Sequence, residues 1–332
     1  MSGVGEIVTP SDGSSCSFLY IGTGRAASTW FFEMLREHPQ VFVPLNKGTF
    51  YFSHFYECGR EWYEGFFRNT GRYLVKGEVC EDYLSNRDAL GRIKDYRGDI
   101  RLICCLRNPY ERAISAWRFL GRNGIEAYSL ADQKVNRPEI YFMGNYGSQL
   151  EFIFTIFERE QILPILFDDV VAAPRVTVKR IYEFLGVDSS FVPLCADKVS
   201  NANGRPRVRI VARAVNRIHM LSWGRSRVLS NFVGRVKSIR WVRAMVRKIL
   251  YDERRMNEKW VCRLSEFPSE VIVQFEEEIT KLESLLGWQL DHWRAPRDVV
   301  QSAKDKCNGV EVPVTNSSVG SMPPKYDFHS FD

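Results

Sequence analysis

Residues 22–29 form a run of small and polar side chains with the sequence GTGRAAST. The run follows a short apolar segment and precedes a segment of helical character, which predicts a loop between a strand and a helix. Small side chains let the backbone approach an anion, and the free N–H groups at a helix start favour negative charge. Arg25 would add a cation, and Ser28 and Thr29 would add hydroxyl donors. The predicted anion-binding residues of this loop are Gly24, Arg25, Ala26, Ala27, Ser28 and Thr29.

Arg107 and Ser115 form a second group with the chemistry of a phosphate site. Arg107 directly follows an apolar run, and Ser115 lies eight residues later in a helical pattern. An arginine at the carboxyl end of a buried parallel strand points into the crevice where open sheets bind ligands. A guanidinium together with a hydroxyl clamps a phosphate well. Two anion sites on one sheet suit a nucleotide that carries phosphates at both its 5′ and 3′ positions.

The elements that position these side chains follow from the apolar pattern. Residues 17–22, 101–106 and 162–167 are typical of strands in a parallel sheet. Each is followed by a break and then by a helical segment. The predicted helices span 30–38, 110–120 and about 174–185. Strands that alternate with helices predict an α/β fold with a doubly wound parallel sheet.

Composition places the chain among ordinary globular proteins. It has 332 residues, of which 45% are hydrophobic and 26% are charged. The net charge of +6 fits an anionic ligand and does not require nucleic acid. The eight cysteines include no CxxC pair, and the N-terminus lacks the pattern of a signal peptide. No apolar run approaches the roughly 18 residues of a membrane span, so we expect a reduced, cytoplasmic protein.

Four segments stand apart from the predicted sheet. We expect residues 1–16 to be a flexible tail, 17–295 to be the folded domain and 296–332 to be a disordered tail. Residues 205–248 contain thirteen Lys or Arg and no Asp or Glu, with apolar residues between them. We expect residues 205–250 to be a basic helical insertion in the domain. The basic segment is consistent with a solvated face of packed helices, with a site for an anionic acceptor, or with peripheral contact to a membrane. Residues 266–290 predict an amphipathic helix, so the C-terminal part of the domain is expected to be helical.

The block LRNPYERAISAW at residues 106–117 resembles the 3′-phosphate motif of the sulfotransferases that use 3′-phosphoadenosine 5′-phosphosulfate (PAPS) as donor. The similarity is greatest to the carbohydrate branch, which is related to the heparan sulfate sulfotransferases. Residues 22–29 look like that family's loop for the 5′-phosphosulfate. Further similar blocks are Lys47 with Tyr51-Phe52, Trp62-Tyr63 with Phe66-Phe67, Gly77-Glu78 with Tyr83-Leu84, residues 162–187, and Leu285-Leu286-Gly287 with Trp293.

This resemblance implies a P-loop-like central parallel sheet flanked by helices, PAPS as donor and no metal. It implies transfer of a sulfuryl group to a hydroxyl or amino group of a carbohydrate, a glycolipid or another small-molecule acceptor. It implies that Arg107 and Ser115 bind the 3′-phosphate. We also expect Arg205 to bind the donor. The loop departs from the family at Ala27-Ser28, where Gly-Thr is usual, and at Arg25, where many members have Lys.

The expected catalytic residues are Arg25, Lys47 and Glu78. Arg25 and Lys47 would neutralise the charge that develops on the leaving phosphate. The heparan branch has a catalytic Glu directly after the matching Lys, and this chain has Gly48 there. Glu78 is therefore the first candidate for the general base, and His54 and Asp82 are the alternatives.

Two other functions remain open from the sequence. A P-loop nucleotide phosphotransferase would use the same fold, although the chain lacks the Gly-Lys pair of a Walker A loop. The absence of a Glu at position 48 also allows a non-catalytic protein of the PAPS fold that binds nucleotide without turnover.

Overall fold

A computed structural model describes residues 15–122, 129–198, 205–206, 251–252 and 264–308. At its centre lies a five-stranded sheet with the order β2-β3-β1-β4-β5, in which every neighbouring pair is parallel. The strands are β1 (Phe18–Gly22), β2 (Val41–Phe42), β3 (Val75–Val79), β4 (Arg101–Leu106) and β5 (Ile162–Leu166). A separate antiparallel pair is formed by β6 (Arg205–Pro206) and β7 (Tyr251–Asp252).

Helices connect and cover these strands. The α-helices are α1 (Ser28–Glu37), α2 (Arg60–Glu64), α3 (Arg87–Tyr96), α4 (Pro109–Arg122), α5 (Leu130–Asn136), α6 (Glu139–Phe142), α7 (Tyr146–Ile153), α8 (Phe167–Ala172), α9 (Pro174–Leu185), α10 (Ser269–Leu286) and α11 (Arg297–Asn308). Single turns of 3-10 helix occupy Tyr56–Cys58, Gly65–Phe67, Arg159–Gln161, Leu264–Glu266 and Asp291–Trp293. Among the described residues, no helix combines the length and the apolar character needed to cross a membrane.

Both faces of the sheet are buried. In β1, Leu19 and Ile21 belong to one hydrophobic core, whereas Phe18 and Tyr20 belong to the core on the opposite side. Strand β4 alternates in the same way along residues 102–106. Because successive side chains of a strand point to opposite faces, a strand covered on both faces reads as a continuous apolar run. The predicted α/β fold with a parallel sheet flanked by helices is confirmed.

The predicted elements differ from the structure mainly where the sequence is short or polar. The predicted strand 101–106 and helix 174–185 have the bounds found for β4 and α9. Strands β2 and β3 were not predicted. Strand β2 has only two residues, and β3 has the sequence VKGEV, whose lysine and glutamate hide its burial on both faces.

The prediction of a disordered tail over 296–332 is wrong for its first part. Residues 297–308 form helix α11, which packs against α10 and buries Ala303. Its apolar residues recur at helical spacing. This periodicity is a weak signal because the segment is short and mostly polar. Residues 309–332 and 1–14 lie outside the described residues, as does the basic segment 205–248 apart from residues 205–206.

The carboxyl ends of the three central strands bring the candidate site together. The backbone N–H of Thr23, after β1, donates to the carbonyl of Cys105 in β4 at 3.0 Å. The N–H of Leu84, after β3, donates to the carbonyl of Ile21 at 2.8 Å. The loops that follow β1, β3 and β4 therefore meet at one edge of the sheet.

Candidate donor-binding and catalytic site

The loop between β1 and α1 presents its backbone toward an incoming anion. Arg25 and Ala27 have positive φ angles of 73° and 57°, a left-handed conformation that costs a non-glycine residue about 1 kcal/mol. Among the described residues, no side chain caps the N-terminus of α1, where Ala27 is the capping residue. The first-turn N–H groups of α1 are thus left for a ligand. Such local strain is typical of ligand-binding loops.

Neighbouring groups hold this loop in place. The hydroxyl of Thr23 donates to the carbonyl of Met143 at 3.3 Å, and the hydroxyl of Tyr20 donates to the carbonyl of Ala26 at 2.9 Å. At Gly24, an added Cβ would lie 3.5 Å from the Met143 side chain and 3.9 Å from that of Glu81. The cradle is therefore fixed by the core below it and by the residues that follow β3.

The predicted residues Arg25, Arg107 and Ser115 lie together beside the loop. The Nε of Arg25 donates to the Ser115 hydroxyl at 3.3 Å, and its guanidinium lies 4.6 Å above the Phe119 ring. An Nη1 of Arg107 donates to the carbonyl of Arg25 at 3.4 Å. The two predicted anion sites are thus contiguous rather than separate. The Arg25 backbone belongs to the first, and its side chain belongs to the second.

Arg107 has further partners. Its Nη2 lies 2.9 Å from the carboxylate of Glu111, one turn along α4, and its guanidinium lies 4.6 Å above the Phe167 ring. The Arg107 side chain is mostly buried, whereas that of Glu111 is exposed. An exposed partner carboxylate holds an arginine only weakly, so an anionic ligand can replace Glu111 at this guanidinium.

Lys47 lies at the N-terminus of α1. Its Nζ donates to the Ser28 hydroxyl at 2.8 Å and to the carboxylate of Glu81 at 2.6 Å. The ammonium therefore joins the loop after β1 to the segment after β3. The role of Lys47 as a catalytic residue that faces the donor stays a prediction.

Glu78 is fully buried and has a different position from the one predicted for a base. Its carboxylate accepts hydrogen bonds from the backbone N–H and the hydroxyl of Thr49, and from the hydroxyls of Tyr63 and Tyr83. Burial raises the pKa of Glu78, and these hydrogen bonds oppose that rise. With both oxygens engaged and no exposure, Glu78 fixes the segment that carries Lys47. The prediction of Glu78 as general base is corrected accordingly.

The alternative bases His54 and Asp82 form a pair of their own. The Nε2 of His54 lies 3.2 Å from the carboxylate of Asp82, and each side chain is 16% exposed. The thiol of Cys80 also donates to Asp82, at 2.9 Å.

Glu81 is the residue that sequence reasoning missed. Its side chain is 36% exposed, contacts Lys47 and lies against Gly24. Its place two residues after a strand of the sheet could have indicated the site, but β3 itself was not predicted. The role of general base was predicted for Glu78 instead, because Glu78 lies in a block that resembles the sulfotransferase family.

The remaining predictions concern Arg205 and metal ligands. Arg205 begins β6, whose backbone lies near α4, the helix that carries Ser115. Within the described ranges, no group of three or more His, Cys, Asp or Glu side chains is placed to hold a metal ion. Asp168 accepts a hydrogen bond from the indole of Trp293 at 2.8 Å, which ties the chain after α10 to the start of α8.

Comparison with known proteins agrees with this geometry. Residues 90–202 match the family described as the sulfotransferase domain. Human heparan sulfate glucosamine 3-O-sulfotransferase 6 is 27% identical over 183 residues, which cover 51% of this chain and 52% of that protein. The membrane-associated sulfotransferase kil1 of Dictyostelium discoideum is 30% identical over 106 residues, which cover 31% of this chain and 22% of that protein. The matches thus span about half of the first relative and a fifth of the second.

A solved structure shares the fold. The sulfotransferase from Alicyclobacillus acidocaldarius superposes with a TM-score of 0.59 at 19% identity, covering 85% of this chain and 99% of that one. The sequence similarity to the sulfotransferase domain therefore covers residues 90–202, and the superposition shows that the fold is shared.

Proposed function

We propose that this protein is a PAPS-dependent sulfotransferase that transfers a sulfuryl group to a hydroxyl or amino group of a carbohydrate or glycolipid acceptor. The observation that carries the proposal is the contiguous cluster of Arg25, Arg107 and Ser115 beside a loop that leads into α1. A nucleotide with phosphates at two positions needs two adjoining anion sites of this kind.

The residues present fit such a donor. Lys47, Ser28, Thr29 and the first-turn N–H groups of α1 would hold the 5′-phosphosulfate, together with the backbone of residues 24–27. Arg107, Ser115 and the Arg25 side chain would hold the 3′-phosphate. Arg205 remains a proposed donor-binding residue because β6 lies near α4.

The chemistry follows from where the positive charge lies. Sulfuryl transfer is an in-line displacement in which negative charge develops on the leaving phosphate oxygen. Lys47 and the N-terminus of α1 would stabilise that developing charge electrostatically. Three side-chain cations supply the positive charge of the site, so we propose that the reaction proceeds without a metal.

A carbohydrate acceptor is supported by the similarity to a protein named for 3-O-sulfation of heparan sulfate glucosamine. The relative named membrane-associated supports peripheral membrane contact, which we assign to the basic segment 205–248. A cytoplasmic location belongs to the same proposal, as does the absence of a nucleic acid partner.

The test is the binding of 3′-phosphoadenosine 5′-phosphate (PAP), measured by calorimetry without magnesium. We expect Arg107→Ala to weaken binding about 30-fold, equivalent to about 2 kcal/mol for a lost charge-assisted phosphate contact. Arg175→Ala is the matched control, because Arg175 lies on the surface of α9 and pairs with Asp197 at 2.7 Å. That variant should bind PAP as the wild type does.

Three results would change the assignment. A wild-type protein that does not bind PAP refutes the proposal. Tight binding of ATP that requires magnesium would favour a phosphotransferase. Binding of PAP without release of PAP from PAPS, over a panel of polysaccharide and glycolipid acceptors, would favour a non-catalytic binding protein.

A further inference from the structure

We propose that Glu81 is the general base of the transfer, and that Lys47 occupies its carboxylate until the donor draws Lys47 away. This inference rests on the function proposed above and concerns the same site.

Glu81 has the position that a base requires. Its carbonyl oxygen lies 3.0 Å from where a Cβ on Gly22 would be, and its side chain lies 3.9 Å from the corresponding point on Gly24. It therefore packs against the loop that would hold the phosphosulfate. Its side chain is 36% exposed, so a hydroxyl that enters from solvent can reach the carboxylate.

Other carboxylates near the site are placed less well. Glu78 is fully buried with both oxygens engaged. Asp82 is mostly buried beside His54. Glu111 pairs with Arg107, at the end of the site proposed for the 3′-phosphate. Glu81 combines exposure, contact with the loop and contact with Lys47.

The backbone explains why the base does not come from position 48. Gly48 has a φ of +81°, and a Cβ there would lie 3.1 Å from the carbonyl oxygen of Val79. A side chain at this position would be strained and crowded. Val79 is the last residue of β3 and lies two residues before Glu81. The end of β3 therefore leaves no room for a side chain at position 48 and is followed closely by the Glu81 carboxylate.

Lys47 links this carboxylate to the donor loop. Its Nζ lies 2.8 Å from the Ser28 hydroxyl and 2.6 Å from the Glu81 carboxylate. The ammonium lies on Oε2 of Glu81, and its positive charge opposes the transfer of a proton to this carboxylate. An anionic donor at the N-terminus of α1 competes with Glu81 for the same ammonium. Donor binding therefore frees the base, and unproductive proton transfer before donor binding is avoided.

The proposed step balances as follows. Glu81 takes the proton that the acceptor hydroxyl loses as the hydroxyl oxygen bonds to sulfur. The bond between sulfur and the bridging oxygen of PAPS breaks, and its electron pair stays on the 5′-phosphate oxygen of PAP beside Lys47. Glu81 then returns the proton to solvent.

Two measurements on Glu81→Gln separate this role from a structural one. Glutamine keeps the shape of the side chain but cannot take the proton, so PAP release at saturating PAPS should fall 100-fold or more. Glutamine also removes a negative charge from beside an anion site, so PAP should bind about threefold to tenfold more tightly by calorimetry. The probe acceptor is an N-sulfated heparan-type polysaccharide, and release into water alone is measured in parallel.

Glu183→Gln is the matched control, because Glu183 pairs with Lys179 on the exposed side of α9. It should change neither the affinity for PAP nor PAP release. The proposal is overturned if the rate of PAP release from PAPS by Glu81→Gln is within threefold of the wild-type rate. It is also overturned if Glu81→Gln loses PAP binding together with transfer. A wild-type protein that fails to bind PAP, or that releases none from PAPS, overturns the proposed function and this inference with it.

Discussion

Replacing Glu78 tests whether this buried carboxylate positions the site or performs chemistry. Glu78→Ala removes the acceptor for the backbone N–H and the hydroxyl of Thr49 and for the hydroxyls of Tyr63 and Tyr83. Each hydrogen bond to a charged group contributes about 1.5–3 kcal/mol net. The contributions are not additive, and loss of the buried charge itself relieves its desolvation. We expect a loss of about 3–5 kcal/mol in the free energy of unfolding.

Glu78→Gln should be far milder. The Oε1 of glutamine can accept the three hydrogen bonds that Oε1 of Glu78 accepts from Thr49 and Tyr83. The amide nitrogen then faces the Tyr63 hydroxyl, which can rotate to accept. We expect a loss of about 1 kcal/mol in the free energy of unfolding and retention of PAP binding and PAP release. The assay is urea denaturation of both variants, with PAP calorimetry and PAP release on Glu78→Gln.

The pH dependence adds a second readout. Burial raises the pKa of Glu78 above its usual 4.5, so the folded chain binds this proton more tightly than the unfolded chain. The contribution of Glu78 to stability is therefore greatest below pH 4.5 and falls as the pH rises through the folded pKa. Glutamine does not titrate. The free energy of unfolding of Glu78→Gln should therefore increase relative to that of wild type as the pH rises from 4.5.

Activity decides between the two roles. One outcome is that Glu78→Gln folds and binds PAP but forms PAP from PAPS more than 100-fold more slowly than wild type. That outcome would refute the positioning role and restore Glu78 as the base. Equal destabilisation by glutamine and alanine would refute the hydrogen-bond argument.

Two further predictions concern Gly48 and metal ions. Gly48→Ala should destabilise the protein by about 2–3 kcal/mol in urea denaturation, because the φ of +81° and the contact with Val79 add together. Gly287→Ala is the matched control, since its φ of +67° and ψ of 24° are left-handed but no atom lies within 4 Å of the added Cβ. A loss of about 1 kcal/mol is expected there, and equal losses would contradict the crowding at Gly48. Exhaustive treatment with EDTA should leave PAP affinity and PAP release unchanged within twofold, and a rate restored only by magnesium would contradict the metal-free proposal.

The sequence predicts the parts of the fold that are strongly apolar. Strand β4 and helix α9 were predicted with the bounds they have, because continuous apolar runs and helical periodicity are direct signals. Strand β3 was missed because buried Lys76 and Glu78 occupy it and disguise its burial. Burial of such groups depends on partners distant in sequence, and residue types alone do not reveal those partners.

The same limit applies to the site. The cluster of Arg25, Arg107 and Ser115 follows from strand ends that meet at one edge of a parallel sheet, which the alternating pattern predicts. The burial of Glu78 and the partial exposure of Glu81 do not follow from the pattern. Which of two nearby carboxylates is buried depends on where β3 ends, and sequence-based prediction is weakest at the ends of elements.

Arg25 makes the two halves of the proposed donor site interdependent. Its carbonyl accepts from Arg107, its side chain donates to Ser115, and its left-handed backbone shapes the loop before α1. A substitution at position 25 therefore cannot retune recognition of one end of the nucleotide while leaving the other untouched. In a double-mutant cycle, changes at positions 25 and 115 should be coupled rather than additive. The two phosphate sites would in that case be energetically coupled. A nucleotide that lacks either phosphate would then lose more affinity than the direct contacts of that phosphate contribute.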